Sequence, residues 1–427
     1  MLIFFSALSC LIIIFSIYRK NGLGLVDFFV IFSWFYIFFR PIVLEGCTDF
    51  INVDLYYWDS TDYWYGVNVS AFLLLMLQSG ALLHGCTTIK FEASVEIDRI
   101  CRINKISSFF IVFLLLLVFS FYGAAVLPAY RDAGALSVSL PGFNFIYPFL
   151  KYFSYLSIST AIFLYFYLKQ ARYLFQAFLL VAVLMVLGRR GLLVAPFISA
   201  FFIYCFVKKV AGSGALREFF QPRYFLIFCV LLVIVFGGKS IYSSGSSLKP
   251  VDTMPFTCLA VVKGYQEFDL FWPAIISVFR ENSNLLDLPG AVIGNFVPHH
   301  ERLDYYPEFY SITDKAMMKY NGQSYYYLKF GISPNIFQFH FSYFYLFSVV
   351  TVFATGFILS LVERSTAKAF LMGRPALFYL SYLTFYYLVS AMDFTLKYYV
   401  FDIFVGILGA VLIFIVSFFL PKNERGE

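Results

Sequence analysis

The apolar positions of this chain fall in long runs, not in stripes or alternations. They cover residues 1–18, 25–44, 67–89, 106–127, 145–168, 173–187, 192–207, 224–236, 336–362, 376–392 and 399–420. Runs of about 20 apolar residues are long enough to cross the hydrocarbon core of a bilayer as helices. The pattern predicts an all-α, polytopic transmembrane protein of about eleven spans, with one large outward loop between spans 8 and 9.

The polar segments between the runs set an orientation. Arg19, Lys20, Lys90, Arg99, Arg102, Lys105, Lys169, Arg172, Lys208, Lys209, Arg217, Arg364, Lys368, Arg374, Lys422 and Arg425 all follow odd-numbered spans. Basic residues concentrate in cytoplasmic connections, so the N-terminus is expected outside and the C-terminus inside. Segment 45–66 carries Glu45, Asp49, Asp54, Asp59 and Asp62 and neither Lys nor Arg, as an outward connection should. The expected organisation is therefore 1–236, spans 1–8; 237–335, a large periplasmic loop, partly helical or re-entrant; and 336–427, spans 9–11 with a short cytoplasmic tail.

Composition agrees with this class. With 61% hydrophobic, 22% aromatic and 13% charged residues, the chain does not read as a soluble globular domain. The net charge of +6 sits mostly in short loops, where it reports orientation and not nucleic-acid binding. The first run lacks a basic leader and a small-residue cleavage site, so it is expected to stay as a helix. Seven cysteines occur without CxxC or His spacing, which points to neither a metal nor a disulfide framework; only Cys47 and Cys258 would face outward.

Candidate chemistry begins at Gly188-Arg189-Arg190-Gly191, the turn between two short spans. An arginine at bilayer depth costs roughly 2.5–3.5 kcal/mol, so this pair calls for a partner. It either snorkels to headgroups or a structural carboxylate, or its guanidinium forks hold a phosphate or pyrophosphate. Arg40, Arg131, Lys151, Arg280 and Arg302 are the other cations on the outward side. Arg40 also suits a helix anchor, Arg131 a local pair with Asp132, and Lys151 snorkelling. The loop 237–335 holds eight Lys or Arg against nine Asp or Glu, and its run 268–279 is too short to span and reads as interfacial or re-entrant. Tyr305, Tyr306 and neighbouring rings suit either an interfacial belt or stacking on sugars. In NFVPHHERLDYY, His299, His300 and Glu301 place titratable groups beside Arg302, where a general base would be needed for group transfer. His84 and His340 read as packing residues. No P-loop, HExxH, GxSxG or dinucleotide fingerprint is present.

In layout and in three short motifs the chain resembles the O-antigen and related polysaccharide polymerases of Gram-negative bacteria, the Wzy type. GRRGLLVAPFI at 188–198 is similar to that family's Gly/Arg stretch opening a transmembrane helix. NFVPHHER with GISPNIFQFHF at 331–341 is similar to the end of its large periplasmic loop, and ten residues separate Arg131 from Gly142 in an Arg-x10-Gly pattern. Gly290 follows Arg280 one residue too early for a second copy. The resemblance implies a glycosyltransferase of polysaccharide and lipopolysaccharide biosynthesis, located in the bacterial inner membrane. It would join undecaprenyl-pyrophosphate-linked repeat units at the periplasmic face, with no cofactor and no metal. Arg131, Arg189, Arg190, Arg280, Arg302, Tyr305 and Tyr306 would bind the pyrophosphate and glycan, and His299, His300 or Glu301 would serve as base. Expected partners are the lipid-linked glycan, membrane lipid, a chain-length regulator and a flippase. An O-antigen ligase, another lipid-donor glycosyltransferase, a lipid-linked oligosaccharide flippase and a membrane acyltransferase are the rival readings.

Overall fold

The structure is a computed structural model. It describes residues 1–20, 24–34, 37–38, 41–42, 60–84, 97–123, 143–186, 271–280, 285–294, 296–297, 305–312, 314–315, 335–372, 374–389 and 392–419. Among these residues all regular structure is helical and no strand occurs. The helices are α1 (Leu2–Lys20), α2 (Leu25–Trp34), α3 (Ser60–His84), α4 (Ile97–Tyr122), α5 (Phe143–Leu168), α6 (Ala171–Val186), α7 (Phe271–Arg280), α8 (Asp287–Gly294), α9 (Ile336–Phe344), α10 (Ser348–Leu371), α11 (Pro375–Val389) and α12 (Met392–Phe419). Short 3₁₀ turns lie at Pro307–Phe309 and Tyr345–Phe347.

Among the described residues four helical stretches are long and apolar enough to cross a membrane: Thr61–Leu83, Ile97–Phe121, Ile336–Ala369 and Val400–Phe419. Their outer faces carry bare apolar side chains, such as Phe109, Val112 and Leu116 on α4 and Phe404, Ile407 and Phe418 on α12. Water would oppose such surfaces, and lipid tails accept them. Spans 7 and 8, at 192–207 and 224–236, lie outside the described residues.

Among the described residues two apolar cores stand side by side. One is built from α4, α5, α6, α11 and α12 around Phe153, Leu156 and Phe163; the other joins α2, α3, α7, α9 and α10 around Leu73, Leu74, Leu77 and Val352. α11 serves both, giving Tyr382 and Leu383 to the first and Phe385 to the second. α3 is the central helix of its group, with 61% of its span buried against 28–33% for the other three. It crosses α10 with almost no side chain between the backbones. A Cβ on Gly80 would overlap the Phe353 carbonyl oxygen, and one on Gly356 would overlap that of Leu77. Small residues permit this approach, and close van der Waals contact is what holds helices together where the solvent is as apolar as the side chains.

The helix ends depart from the apolar runs in two places. α3 begins at Ser60 and α4 at Ile97, each about two turns before its apolar stretch, so Arg99, Arg102 and Lys105 ride on a helix and not in a connection. Arg and Lys are good helix formers, and Asp62 and Asp98 in the first turns complement the helix dipole. The larger departure is in 336–362. The segment is helical, but the chain turns at Tyr345, whose φ is +41°, and α9 lies back against α10. His340 Nδ1 is 2.8 Å from Thr351 Oγ1 and its Nε2 is 3.4 Å from Thr355 Oγ1. In one straight helix residues eleven apart would be separated by roughly 16 Å.

Segments assigned to the same side by charge meet in space. Arg99 Nη1 donates to the Met372 carbonyl at 2.9 Å, joining the start of α4 to the end of α10. Glu363 Oε2 accepts from the Val26 amide at 2.7 Å, joining α10 to the start of α2. At the opposite end, the first turn of α3 meets the helices of the long loop.

Candidate functional site

α7 is an amphipathic helix of ten residues, too short to span. Trp272, Ile275, Ile276 and Val278 are buried, and the indole of Trp272 lies over Gly66 on α3, where a Cβ would collide with it. Arg280 closes the helix with a two-pronged pair to Asp62: Nη2 to Oδ1 at 2.7 Å and Nη1 to Oδ2 at 3.3 Å. The pair links a cation at the C-terminus of one helix to an anion in the first turn of another, which both dipoles favour. Asp62 is 8% exposed and Arg280 is 65% exposed, so the carboxylate is sheltered while much of the guanidinium still faces outward.

α8 and the turn after it complete the cap. Lys315 Nζ meets Asp287 Oδ2 at 2.6 Å. Asp314 Oδ2 accepts from the Ser311 amide and hydroxyl, both at 2.9 Å, and the Ile312 amide donates to Tyr343 Oη at 3.0 Å, tying this turn to α9. Asn335 and Gln338 form a reciprocal capping box at the start of α9, satisfying its first amides. Every residue from Ile336 to Tyr343 is buried. Phe341 meets the rings of Tyr65, Trp272, Phe279 and Tyr345, so α3, α7, α9 and the Tyr345 turn share one aromatic cluster.

A buried charge cluster joins α5, α11 and α12. Lys151 Nζ on α5 is 2.5 Å from Asp402 Oδ2 on α12, and Tyr387 Oη in the last turn of α11 donates to that oxygen at 2.8 Å. Lys151 is 19% and Asp402 6% exposed, so the lysine is turned into the bundle and does not snorkel. Partnered charges are what a low-dielectric interior requires. Asp402 is doubly satisfied and is neither a free base nor a nucleophile. The ammonium has three donors and spends one on Asp402. α12 continues from this cluster to pack against α8, which connects it to the cap.

Of the site residues expected from sequence, Arg280, Tyr305 and Tyr306 are described. Arg280 is held by Asp62, and Tyr305 and Tyr306 are 73% and 42% exposed on the cap. Arg131, Arg189, Arg190, His299, His300, Glu301 and Arg302 lie outside the described residues, as do Arg40, Cys47 and Cys258. The described flanks of the histidine segment are held together: the Val297 amide bonds to the Gly294 carbonyl at 3.2 Å, and Gly290 of α8 packs on the Glu308 backbone. His340 is a packing residue, as expected. The acidic partners were the part that sequence reasoning missed. Asp402 and Asp27 are single carboxylates inside apolar runs, and that isolation was the signal available.

No protein-family model matches this sequence, and neither a curated protein nor a solved structure is significantly similar to it.

Proposed function

We propose that this chain is a glycosyltransferase of the bacterial inner membrane, a polysaccharide polymerase that joins undecaprenyl-pyrophosphate-linked oligosaccharide units at the periplasmic face. The observation that carries the reading is the clamp of Arg280 on Asp62. It fastens the α7 segment of the long loop onto the end of α3 that follows the acidic first connection. The cap with its exposed Tyr305 and Tyr306 then sits where a lipid-linked glycan would arrive, and rings of this kind stack on sugar faces.

In the reaction an acceptor sugar hydroxyl forms a bond to the anomeric carbon of the growing chain. The bond from that carbon to the undecaprenyl pyrophosphate oxygen breaks, and the lipid pyrophosphate leaves with the electron pair. Negative charge grows on the leaving group, so cations fixed at headgroup depth lower the barrier. Arg189, Arg190, Arg131 and Arg302 are assigned to that task, with Arg280 anchoring the cap. His299, His300 or Glu301 accepts the hydroxyl proton. Because the donor arrives already activated, no nucleotide-binding domain is required.

The test is glycan length on a gel, in the native host, after deletion of the gene and its restoration. A polymerase leaves a single repeat unit on the lipid A core when deleted, and Arg189→Ala/Arg190→Ala fails to restore the ladder. Retention of all glycan on the lipid carrier would overturn the reading in favour of a ligase or flippase.

A further inference from the structure

Helices α4 and α6 run parallel and are joined by polar side chains. Cys101 Sγ on α4 is 3.6 Å from Tyr173 Oη on α6, and one turn on, Asn104 Nδ2 donates to Gln176 Oε1 at 3.1 Å. Ser108 extends this seam, accepting from Gln176 Nε2 at 2.6 Å. α5 packs against both helices on one side, where Ile103, Ser107 and Ile111 of α4 are buried. The other side is open. There Lys105, Phe109, Val112 and Leu116 follow the α4 seam residues by about a quarter turn, and all four are exposed. Arg172, Phe175 and Leu179, also exposed, precede the α6 seam residues by about a quarter turn. On parallel helices opposite offsets face the same way, so the two stripes flank one groove.

We infer that this groove binds an anionic phospholipid of the phosphatidylglycerol class. Both stripes open on cations in the first turns and continue with apolar side chains only, the order of a headgroup phosphate followed by acyl chains. Arg172 is already held for the headgroup. Its Nη2 donates to Tyr173 Oη at 3.1 Å and its Cζ stands 4.8 Å from the centre of that ring. The same hydroxyl meets Cys101, so the guanidinium lies two hydrogen bonds from α4 and keeps further donors for phosphate oxygens. In this register Arg102 and Lys105 lie about half a turn and a turn and a half beyond Arg172, and helical side chains lean toward the N-terminus, back to its level. Three cations thus face Asp98, the only acidic residue in the two helices, while Arg99 is turned away to the Met372 carbonyl. A zwitterionic lipid would bring its own ammonium into this field, and an anionic one would not.

The full-length protein is purified in neutral detergent, stripped of lipid and titrated with dioleoyl phosphatidylglycerol or dioleoyl phosphatidylcholine, with and without inorganic phosphate. Bound lipid is counted by native mass spectrometry. One phosphatidylglycerol is expected to bind at least about tenfold more tightly than phosphatidylcholine, and inorganic phosphate to leave its affinity unchanged. Lys105→Gln and Arg172→Gln should each weaken it about fivefold, and Arg374→Gln, at an exposed cation just before α11, should not. The wild-type series stands by itself if a variant fails to fold. Equal affinity for the two lipids overturns the inference, because a headgroup phosphate of any kind then suffices. Displacement by inorganic phosphate overturns it in favour of a free-anion site, and an equal loss in Arg374→Gln in favour of diffuse charge. A preference that survives the Lys105→Gln/Arg172→Gln double variant overturns it too, by placing the lipid elsewhere.

Discussion

Asp402 shows what a single carboxylate does inside an apolar helix. It accepts from Lys151 and Tyr387, and in doing so it fastens α5, α11 and α12 at one level. Removing one member leaves the other charge buried without its partner, so Lys151→Ala or Asp402→Ala is expected to cost about 3–5 kcal/mol. The pair Lys151→Met with Asp402→Leu, which removes both charges, should recover most of that loss, as read from thermal unfolding in detergent. Arg280 belongs to a different class. Its pair with Asp62 is half open to solvent, and Arg280→Ala should lower overall stability by about 1 kcal/mol or less. Its effect on glycan length should be much larger, because the cap is released. The exchange Arg280→Asp with Asp62→Arg restores the ladder if the pair acts only as a fastener.

At the scale of elements, the crossing of α3 and α10 sets the distance between the two central helices of the second core. Gly80→Leu or Gly356→Leu forces those backbones apart, and overpacking of this kind costs at least about 1–3 kcal/mol. The expected result is a sharp fall in folded protein on size-exclusion chromatography, well beyond the loss from Gly123→Ala, where a Cβ meets no neighbour and only the backbone φ of +51° is strained. The long described helices themselves were legible as apolar runs. The turn at Tyr345 was not, because apolar residues continue through FHFSYFYLFSVV and neither Gly nor Pro marks the break. The ion pairs were not legible either. Lys151 and Asp402 are 251 residues apart, and each alone is only an oddity in an apolar run.

The described residues form two cores joined through α11, with a helical cap on one end. If that end faces the periplasm, single cysteines at Tyr305 and Lys368, in a background without native cysteines, should differ. Both positions are exposed. Tyr305→Cys should react with an impermeant thiol reagent in intact spheroplasts and Lys368→Cys only after permeabilisation, and the reverse pattern inverts the topology. The folded-back helix α9 also bears on how the chain is made. It is walled in by α3, α7 and α10, and α10 leaves the ribosome after it. α9 therefore has no completed seat at the moment of its own synthesis. It must wait at the membrane surface until α10 is inserted and then slot in, so a released chain truncated just before residue 348 should carry an α9 open to protease, and a chain extended through α10 should protect it.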